Sequence, residues 1–177
     1  MTDDSLAQAT IRTPMGPMLA LAGERGLQGL WFDAQRHHPG ALSARVAPEQ
    51  RWIAQARAEL AEYFAGRRSR FEVPLDPHGT AFQQAVWALL REIDCGRTGT
   101  YGALARRLGK PQAARAVGAA VGRNPISILV PCHRVIGENG SLTGYAGGLP
   151  RKRELLALEQ QAAALEQQAA APARVGH

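Results

Sequence analysis

Cys132 and His133 lie side by side in the segment Pro131-Cys132-His133-Arg134-Val135-Ile136, directly after an apolar run over residues 126–130. A thiol attacks an electrophile as its thiolate, and because free cysteine has a pKa of roughly 8.5, it needs a nearby base or positive field. His133 could be that base, directly or through a water molecule, and a carboxylate from elsewhere in the chain could orient its imidazole. The pair therefore suggests a nucleophilic cysteine served by a histidine.

Two other roles for Cys132 fit the same residues. A cysteine after an apolar run is ordinarily a buried structural thiol. Metal ligation is the least favoured role, because adjacent Cys132 and His133 lack the CxxC or HxxxH spacing of a metal site. We therefore expect no metal and no cofactor. The second cysteine, Cys95, lies in a Gly-rich turn with no base beside it, and we interpret it as structural or incidental.

The first part of the chain predicts a small α+β domain, which we place at residues 1–76. Apolar segments separated by Gly- and Pro-containing turns predict an antiparallel meander, with strands at residues 10–13, 18–22 and 27–32. After a polar loop over 34–47, apolar residues at three- and four-residue spacing predict an amphipathic helix over 48–64 that ends at Gly66. Residues 71–75 could add one more strand.

The second part, residues 77–160, predicts a mostly helical domain. Thr80 can cap a helix whose apolar face continues to Ile93. Thr100 can cap a short helix that ends at Leu108, and Pro111 suits the first position of a further helix that runs to Val121. Two short helices joined by a Gly-containing turn form the outline of a helix-turn-helix.

The remaining segments surround the cysteine. The apolar run over 126–130 predicts a buried strand or extended segment. A Gly-rich loop over 137–148 follows, and a last helix is expected from Pro150 to Glu159. Residues 161–177 form a Gln/Ala-rich tail, helix-prone as far as 171 and expected to fray over 172–177.

The net charge of +6 lies entirely in the second half of the chain. Residues 1–90 carry nine basic and nine acidic side chains, whereas no acidic residue occurs between Asp94 and Glu138. Seven basic residues fall inside that stretch, namely Arg97, Arg106, Arg107, Lys110, Arg115, Arg123 and Arg134. Such a segment is expected to bind a polyanion, although a solvated basic face kept for solubility would carry the same charge.

The composition excludes several classes of protein. With 177 residues, 45% of them hydrophobic, the chain can bury a core. Two cysteines exclude a disulfide framework, and no apolar stretch approaches the roughly 18 residues of a membrane span. Because Met1-Thr2-Asp3-Asp4 is acidic where a secretory signal would be basic, we expect a cytoplasmic protein with no membrane partner.

The cysteine motif, together with Asn124-Pro125 upstream and Gly144-Tyr145-Ala146-Gly147-Gly148-Leu149 downstream, resembles the signature of the O6-alkylguanine-DNA alkyltransferases in their bacterial form. The resemblance is dense over residues 79–159 and weaker over 10–40, where Thr13-Pro14-Met15-Gly16-Pro17 is similar to the family's first-strand turn. It implies a ribonuclease H-like first domain. It also implies irreversible, single-turnover transfer of an alkyl group to Cys132 from O6 of guanine in DNA, with O4 of thymine as a second expected target.

The resemblance also assigns catalytic roles. Cys132 matches the acceptor, His133 the base that acts through a water molecule, and Glu159 the carboxylate that orients this base. Asn124 matches the residue that braces the turn beside them, and Tyr145 the hydroxyl that donates to the departing guanine. An S-alkyl cysteine is a thioether without a carbonyl for water to attack, so the protein would be consumed by its reaction.

A guanine inside duplex DNA must be flipped out of the stack before its O6 can react. By resemblance, Tyr101 crowds a backbone phosphate and Arg115 takes the place of the extruded base. Ala114, Gly118 and Arg123 are expected to contact the DNA beside them, in the minor groove. The protein is expected to bind double-stranded DNA as a monomer, with or without cooperativity along the duplex.

The substrate pocket implied by the resemblance contains Val135, Ala146, Gly147 and Gly148. Ala146 stands where some members have a hydroxyl residue that could contact O6. Gly102 and Ala103 stand where family members often have polar residues. The first short helix therefore lacks the acidic residue of a capping box.

Three alternatives use the same residues. An alkyltransferase-like protein would bind damaged DNA without turnover, but those proteins lack the cysteine. A helix-turn-helix transcription factor could use the thiol as a sensor, yet the chain has no separate inducer domain. A cysteine hydrolase would need an oxyanion site, and this function would not explain the basic helix-turn-helix segment.

Overall fold

The computed structural model describes residues 3–170. A four-stranded sheet opens the chain, with the strands in the order β3-β2-β1-β4. Its strands are β1 (Asp3–Ile11), β2 (Met18–Ala22), β3 (Leu27–Phe32) and β4 (Ala44–Val46). The predicted meander is confirmed for β1, β2 and β3, which pair antiparallel.

The sheet differs from the prediction in two ways. The segment expected at 10–13 is only the end of β1, which begins at Asp3. Its inward positions include Ala7 and Ala9, whose small side chains give a weak strand signal. The short strand β4 falls in the expected loop and pairs parallel with β1, so the sheet is mixed.

One helix packs on this sheet. It is α1 (Arg51–Phe64), and it buries Ile53, Ala56 and Leu60 at the predicted spacing. The expected strand over 71–75 is wrong, because the carboxylate of Glu59 accepts the backbone N–H groups of Glu72 and Val73. In the part of the chain that the structure describes, a single bridge between Leu27 and Leu75 joins this segment to the sheet.

The second part is mostly helical. After α2 (Ala81–Leu90) and the two-residue strand β5 (Gly99–Thr100) come α3 (Tyr101–Arg107) and α4 (Ala114–Gly122). A 3-10 helix (Cys132–Arg134), the strand β6 (Val135–Ile136) and the long helix α5 (Leu149–Ala170) follow. The α+β fold class is thus confirmed, with a sheet and one helix first and helices after them.

The helix caps explain where these elements begin. Thr80 forms a capping box with Gln83, and Thr100 accepts the N–H of Ala103, both as predicted. The α4 helix starts at Ala114 rather than Pro111, because residues 110–113 form a turn in which the Ala113 N–H bonds to the Lys110 carbonyl. The two helices α3 and α4 pack on each other as a helix-turn-helix.

Three further expectations concern the later segments. Residues 126–130 are buried as predicted, but beyond the bridge from Leu30 to Ile126 they form turns instead of a strand. Ile128 has a φ of +73°, a rare conformation for a β-branched residue. Helix α5 continues past Glu159 to Ala170, and the expected fraying over 172–177 lies outside the described residues. Within residues 3–170, no helix is long and apolar enough to cross a membrane.

Candidate active site

Cys132 is held in place by a tight turn of its own backbone. It is the first residue of the 3-10 helix, and its N–H donates to the Val130 carbonyl at 2.8 Å. The side-chain amide of Asn124 donates both to the Val130 carbonyl, at 2.8 Å, and to the sulfur of Cys132, at 3.1 Å. Asn124 Oδ1 accepts the N–H of Ile126 at 2.9 Å. One amide therefore fixes the turn and contacts the thiol.

The environment of Cys132 opposes and supports its ionisation at the same time. Burial raises the pKa of the Cys132 thiol, since only 5% of the residue is exposed. The Asn124 hydrogen bond and the positive charge of Lys152 act in the other direction and lower this pKa. A thiolate formed here is thus desolvated but has a donor and a cation to stabilise it.

His133 and Glu159 form a buried pair. Nε2 of His133 lies 2.6 Å from Oε1 of Glu159, and both side chains are almost completely buried. Burial opposes ionisation of Glu159, but hydrogen bonds from His133 and Arg134 outweigh it and lower the pKa of this carboxyl to about 2. Because Nε2 faces an ionised carboxylate, it carries the imidazole proton.

The other nitrogen of His133 is free to act as a base. Burial is the largest cause that lowers the pKa of His133, and it outweighs the attraction of Glu159. The ring is therefore neutral near pH 7, with its lone pair on Nδ1. That atom is buried and has no hydrogen-bond partner among residues 3–170. A buried acceptor without a partner, one residue from the thiol, suits a base that works through a water molecule.

Sequence reasoning missed three residues of this site. Arg134 holds Glu159 with two hydrogen bonds of 2.9 Å, and the hydroxyl of Tyr63 donates to Oε1 of Glu159 at 2.7 Å. Lys152 is completely buried, and its ammonium donates to the carbonyls of Val135 and Thr143. Arg134 was visible in the cysteine motif, whereas Tyr63 and Lys152 carry no local signal.

A cavity of about 600 Å³ opens beside the thiol. Seven of the predicted site residues line it, namely Cys132, Tyr145, Ala146, Gly148, Tyr101, Gly118 and Arg123. The ring of Tyr145 stands edge-on to the ring of His133, with centroids 6.5 Å apart. Its hydroxyl is buried and makes no hydrogen bond within the described part of the chain. Burial also raises the pKa of Tyr145, so this hydroxyl keeps its proton.

The loop over 137–148 forms one wall of the cavity. The Gly148 N–H bonds to the Tyr145 carbonyl, and Gly148 has a φ of +93°, a conformation that favours glycine. Lys152 ties the loop to β6 through the carbonyls of Thr143 and Val135. These contacts therefore hold the second half of the loop, residues 143–148, in place.

Among the residues predicted for DNA binding and for the substrate pocket, four do not line the cavity. Val135 is buried in β6, where it pairs with Gly99, and Gly147 packs against Tyr145 and Phe32. Ala114 and Arg115 occupy the first turn of α4, and Arg115 is exposed to solvent. Arg115 is therefore exposed at the start of α4, whereas Gly118 and the end of the same helix line the cavity.

Two residues from the loop after β3 also line the cavity, and the sequence analysis had not selected them. They are Arg36 and His37, and the N–H of Arg36 bonds to the Ala146 carbonyl at 2.9 Å. Glu138 takes the place of the capping-box acid that α3 lacks, because its carboxylate accepts the Gly102 N–H at 3.1 Å. Both contacts join segments that are far apart in the sequence.

Known proteins share this architecture. The family model described as 6-O-methylguanine DNA methyltransferase, ribonuclease-like domain, matches residues 6–77, and the one described as its DNA binding domain matches residues 81–161. The methylated-DNA--protein-cysteine methyltransferase of Methanosarcina acetivorans is 47% identical over 151 residues, which are 85% of this chain and 96% of the relative. The protein of the same name from Mycobacterium tuberculosis H37Rv is 48% identical over 155 residues, 87% of this chain and 92% of the relative.

A solved structure agrees with these relatives. The crystal structure of Mycobacterium tuberculosis OGT in complex with DNA has a TM-score of 0.84 and 45% identity, and the match covers 88% of this chain and 94% of that one. The two family models together account for most of the chain, and the relatives match across nearly their whole length. The chain therefore belongs to the 6-O-methylguanine DNA methyltransferase family.

Proposed function

We propose that this protein repairs DNA by direct reversal, transferring an alkyl group from O6 of guanine to Cys132. The observation that carries the proposal is the buried Cys132, bonded to Asn124 and next to a His133 paired with Glu159, at the edge of a cavity of about 600 Å³. The relatives named methylated-DNA--protein-cysteine methyltransferase support the same activity.

The reaction is a displacement at carbon. His133 accepts the thiol proton through a water molecule, and the sulfur of Cys132 forms a bond to the alkyl carbon as the bond from that carbon to O6 breaks. The bonding electrons pass to the guanine, which takes up one proton, with Tyr145 donating a hydrogen bond to the departing oxygen. In sum, a thioether and an unmodified guanine replace a thiol and an alkylated guanine.

Glu159 and Asn124 prepare this step without taking part in bond changes. Glu159 is ionised and holds the proton of His133 on Nε2, which leaves Nδ1 as the accepting atom. Asn124 stabilises the thiolate through the hydrogen bond to sulfur. Because the product is a thioether, no water can release it, and each molecule reacts once.

The substrate would be a guanine extruded from duplex DNA. Tyr101 lines the cavity at the start of α3, where it could contact the phosphate of the extruded nucleotide. Arg115 is exposed in the first turn of α4, where its side chain could enter the base stack. We propose that α4 enters the minor groove, with Ala114, Gly118 and Arg123 against the DNA. The pocket would hold the base between Tyr145, Ala146 and Gly148, with Val135 and Gly147 supporting its wall.

We also propose that the protein is a monomer of two domains, residues 1–76 and residues 77–160, and that the two domains have different roles. The first supplies the sheet and α1, and the second supplies the helix-turn-helix, the thiol and the base. An alkyltransferase-like binder without turnover is the second candidate. The presence of Cys132 and its bonded partners favours transfer over binding alone.

Intact-mass spectrometry after incubation with duplex DNA that contains O6-methylguanine tests the proposal. The protein should gain one methyl group on Cys132, and Cys132→Ser should gain none while it still binds the duplex. Cys95→Ser is the matched control, because burial and the Glu159 charge raise the pKa of Cys95 to about 11, so this thiol stays protonated near pH 7 and its variant should be methylated like the wild type. Repeated turnover, or a label on another residue, would refute the mechanism.

A further inference from the structure

The side chain of Tyr63 reaches from the sheet-bearing part of the chain into the candidate active site. It belongs to α1, lies 96 residues before Glu159, and is 2% exposed. Its hydroxyl donates to Oε1 of Glu159 at 2.7 Å. None of the roles assigned above uses this contact.

The contact falls on the oxygen that pairs with the base. Oε1 of Glu159 receives His133 Nε2 at 2.6 Å, the Tyr63 hydroxyl at 2.7 Å and Arg134 Nη2 at 2.9 Å, whereas Oε2 receives only Arg134 Nε, at 2.9 Å, among the described residues. Burial and the Glu159 charge raise the pKa of Tyr63, so its hydroxyl stays a donor. Tyr63 and His133 therefore share one carboxylate oxygen.

Sharing an acceptor weakens each of its bonds. A donor on Oε1 withdraws negative charge from the atom that attracts the imidazole proton, so His133 becomes less basic than it would be beside an unshared carboxylate. The hydroxyl also fixes the carboxylate in rotation, which keeps Oε1 in line with Nε2. Both effects keep the ring neutral, with Nδ1 as the accepting atom.

We propose that Tyr63 is a positioning residue for alkyl transfer, holding Oε1 of Glu159 against His133 and setting how strongly that oxygen attracts the imidazole proton. This inference rests on the proposed function. The sheet-bearing part of the chain would then help to position the catalytic base, in addition to any structural role that it has.

A purely structural role is the competing explanation. The Tyr63 ring contacts the rings of Phe64 and Phe71, with centroids 5.2 Å and 5.3 Å away. Tyr63→Phe keeps that packing and removes only the hydroxyl. Phe71→Leu does the reverse, because it changes the packing and leaves the hydroxyl bond in place. The two variants therefore separate the two roles.

The other titratable and charged groups near Tyr63 and His133 stay unchanged in these variants. They come from every neighbouring element: Glu159 and Lys152 from α5, Arg134 and Cys132 from the 3-10 helix, Tyr145 from the loop before α5, and Cys95 from the turn after α2. A change in pH dependence caused by Tyr63→Phe can thus be attributed to the lost hydroxyl.

The test is the single-turnover rate of Cys132 alkylation by free O6-benzylguanine and by methylated duplex DNA, measured from pH 5 to 9. Because each molecule reacts once, the amplitude reports the folded fraction and the rate constant reports the chemistry. Tyr63→Phe should react about 10-fold more slowly with both substrates, because a carboxylate that is no longer fixed in rotation leaves the base less well positioned. The acidic limb of its pH profile should move to higher pH, because His133 becomes more basic.

The controls distinguish the outcomes. Phe71→Leu should keep the wild-type rate constant and pH profile, whatever its amplitude. In the background of Glu159→Gln, Tyr63→Phe should have little further effect, since the two residues act through one contact. An unchanged rate and pH profile for Tyr63→Phe would overturn the inference. A wild-type protein that gains no alkyl group would instead refute the proposed function.

Discussion

The side-chain amide of Asn124 donates a hydrogen bond to the sulfur of Cys132, with Nδ2 and Sγ 3.1 Å apart. The same amide closes the turn that carries the cysteine, through the carbonyl of Val130. Backbone geometry and thiol chemistry are therefore linked through one side chain. A substitution that keeps the shape of Asn124 but removes its donor breaks both bonds, and the pH dependence of Cys132 alkylation then shows whether the thiol itself is affected.

Asn124→Asp is expected to slow alkylation of Cys132 at pH 7 by at least about 10-fold, because it replaces a donor to the thiolate with a negative charge. The pH at which the thiolate forms should rise, as measured by the alkylation rate of Cys132 against pH. Asn139→Asp is the control, because Asn139 is exposed in the loop and its acceptor to Ser141 is preserved. A wild-type pH profile for Asn124→Asp would show that the amide acts on the backbone alone.

Glu159 is expected to make stability depend on pH at the acidic end. The pKa of its carboxyl falls from an ordinary value of 4.5 to about 2 in the folded protein, so its contribution is fully present above about pH 4.5 and is lost as the pH falls through about 2. The free energy of unfolding should decrease across this window by at most about 3 kcal/mol, following 1.36 kcal/mol for each pKa unit. Urea unfolding at a series of pH values measures it.

The matched comparison for this prediction is Glu159→Gln, which has no carboxyl to protonate. The free energy of unfolding of this variant should change less than that of the wild type between pH 4.5 and 2, even though the variant is less stable at pH 4.5. Parallel curves for the two proteins would show that other carboxylates cause the acid sensitivity.

Lys152 is expected to stabilise the fold despite its burial. Its ammonium donates to carbonyls of Val135, Thr143 and Gly144, and the rest of the residue is enclosed. Lys152→Met keeps the aliphatic part of the chain but leaves those carbonyls without this donor, so it should lower the free energy of unfolding by about 1–3 kcal/mol. The exposed neighbour Arg153, changed to Met, should cost less than about 0.5 kcal/mol in the same urea experiment.

The exposed Arg115 is expected to matter for duplex DNA and not for chemistry. Arg115→Ala should slow repair of O6-methylguanine in a duplex far more than reaction with free O6-benzylguanine, because only the duplex requires base flipping. Arg45→Ala removes an equal exposed charge from β4 and should leave both rates close to wild type. Equal losses on the two substrates for Arg115→Ala would contradict the flipping role.

Several features of the fold were predictable because they have local causes. Thr80 and Thr100 cap their helices, as short polar side chains do when the next residues are helix formers. The helix α1 was predictable because its apolar residues recur one turn apart. The strand β4 and the long irregular segment after Ile126 were not predictable in this way. Their geometry depends on distant partners, which are β1 for the strand and Leu30 and Gln35 for the segment.

The candidate site shows the same division. The adjacent Cys132 and His133 are a local pattern, and the resemblance extends it to Glu159, so this part of the site was available from the sequence. Arg36 and His37 enter the cavity only because the loop after β3 folds against the wall formed by Ala146. The Gly102 N–H finds its acceptor in Glu138, 36 residues away, where no capping rule would place it.

The sequence by itself predicted Cys132 as the nucleophile and His133 as its base, and it determined the helix-turn-helix and the basic half of the chain, since neighbouring residues carry each of these patterns. The tertiary structure alone decided which groups share the Glu159 carboxylate, bringing Tyr63 from α1 and Arg134 from the 3-10 helix onto it. Hydrogen bonds are short and directional, so which side chains meet depends on how distant elements pack, and residue spacing does not encode that packing.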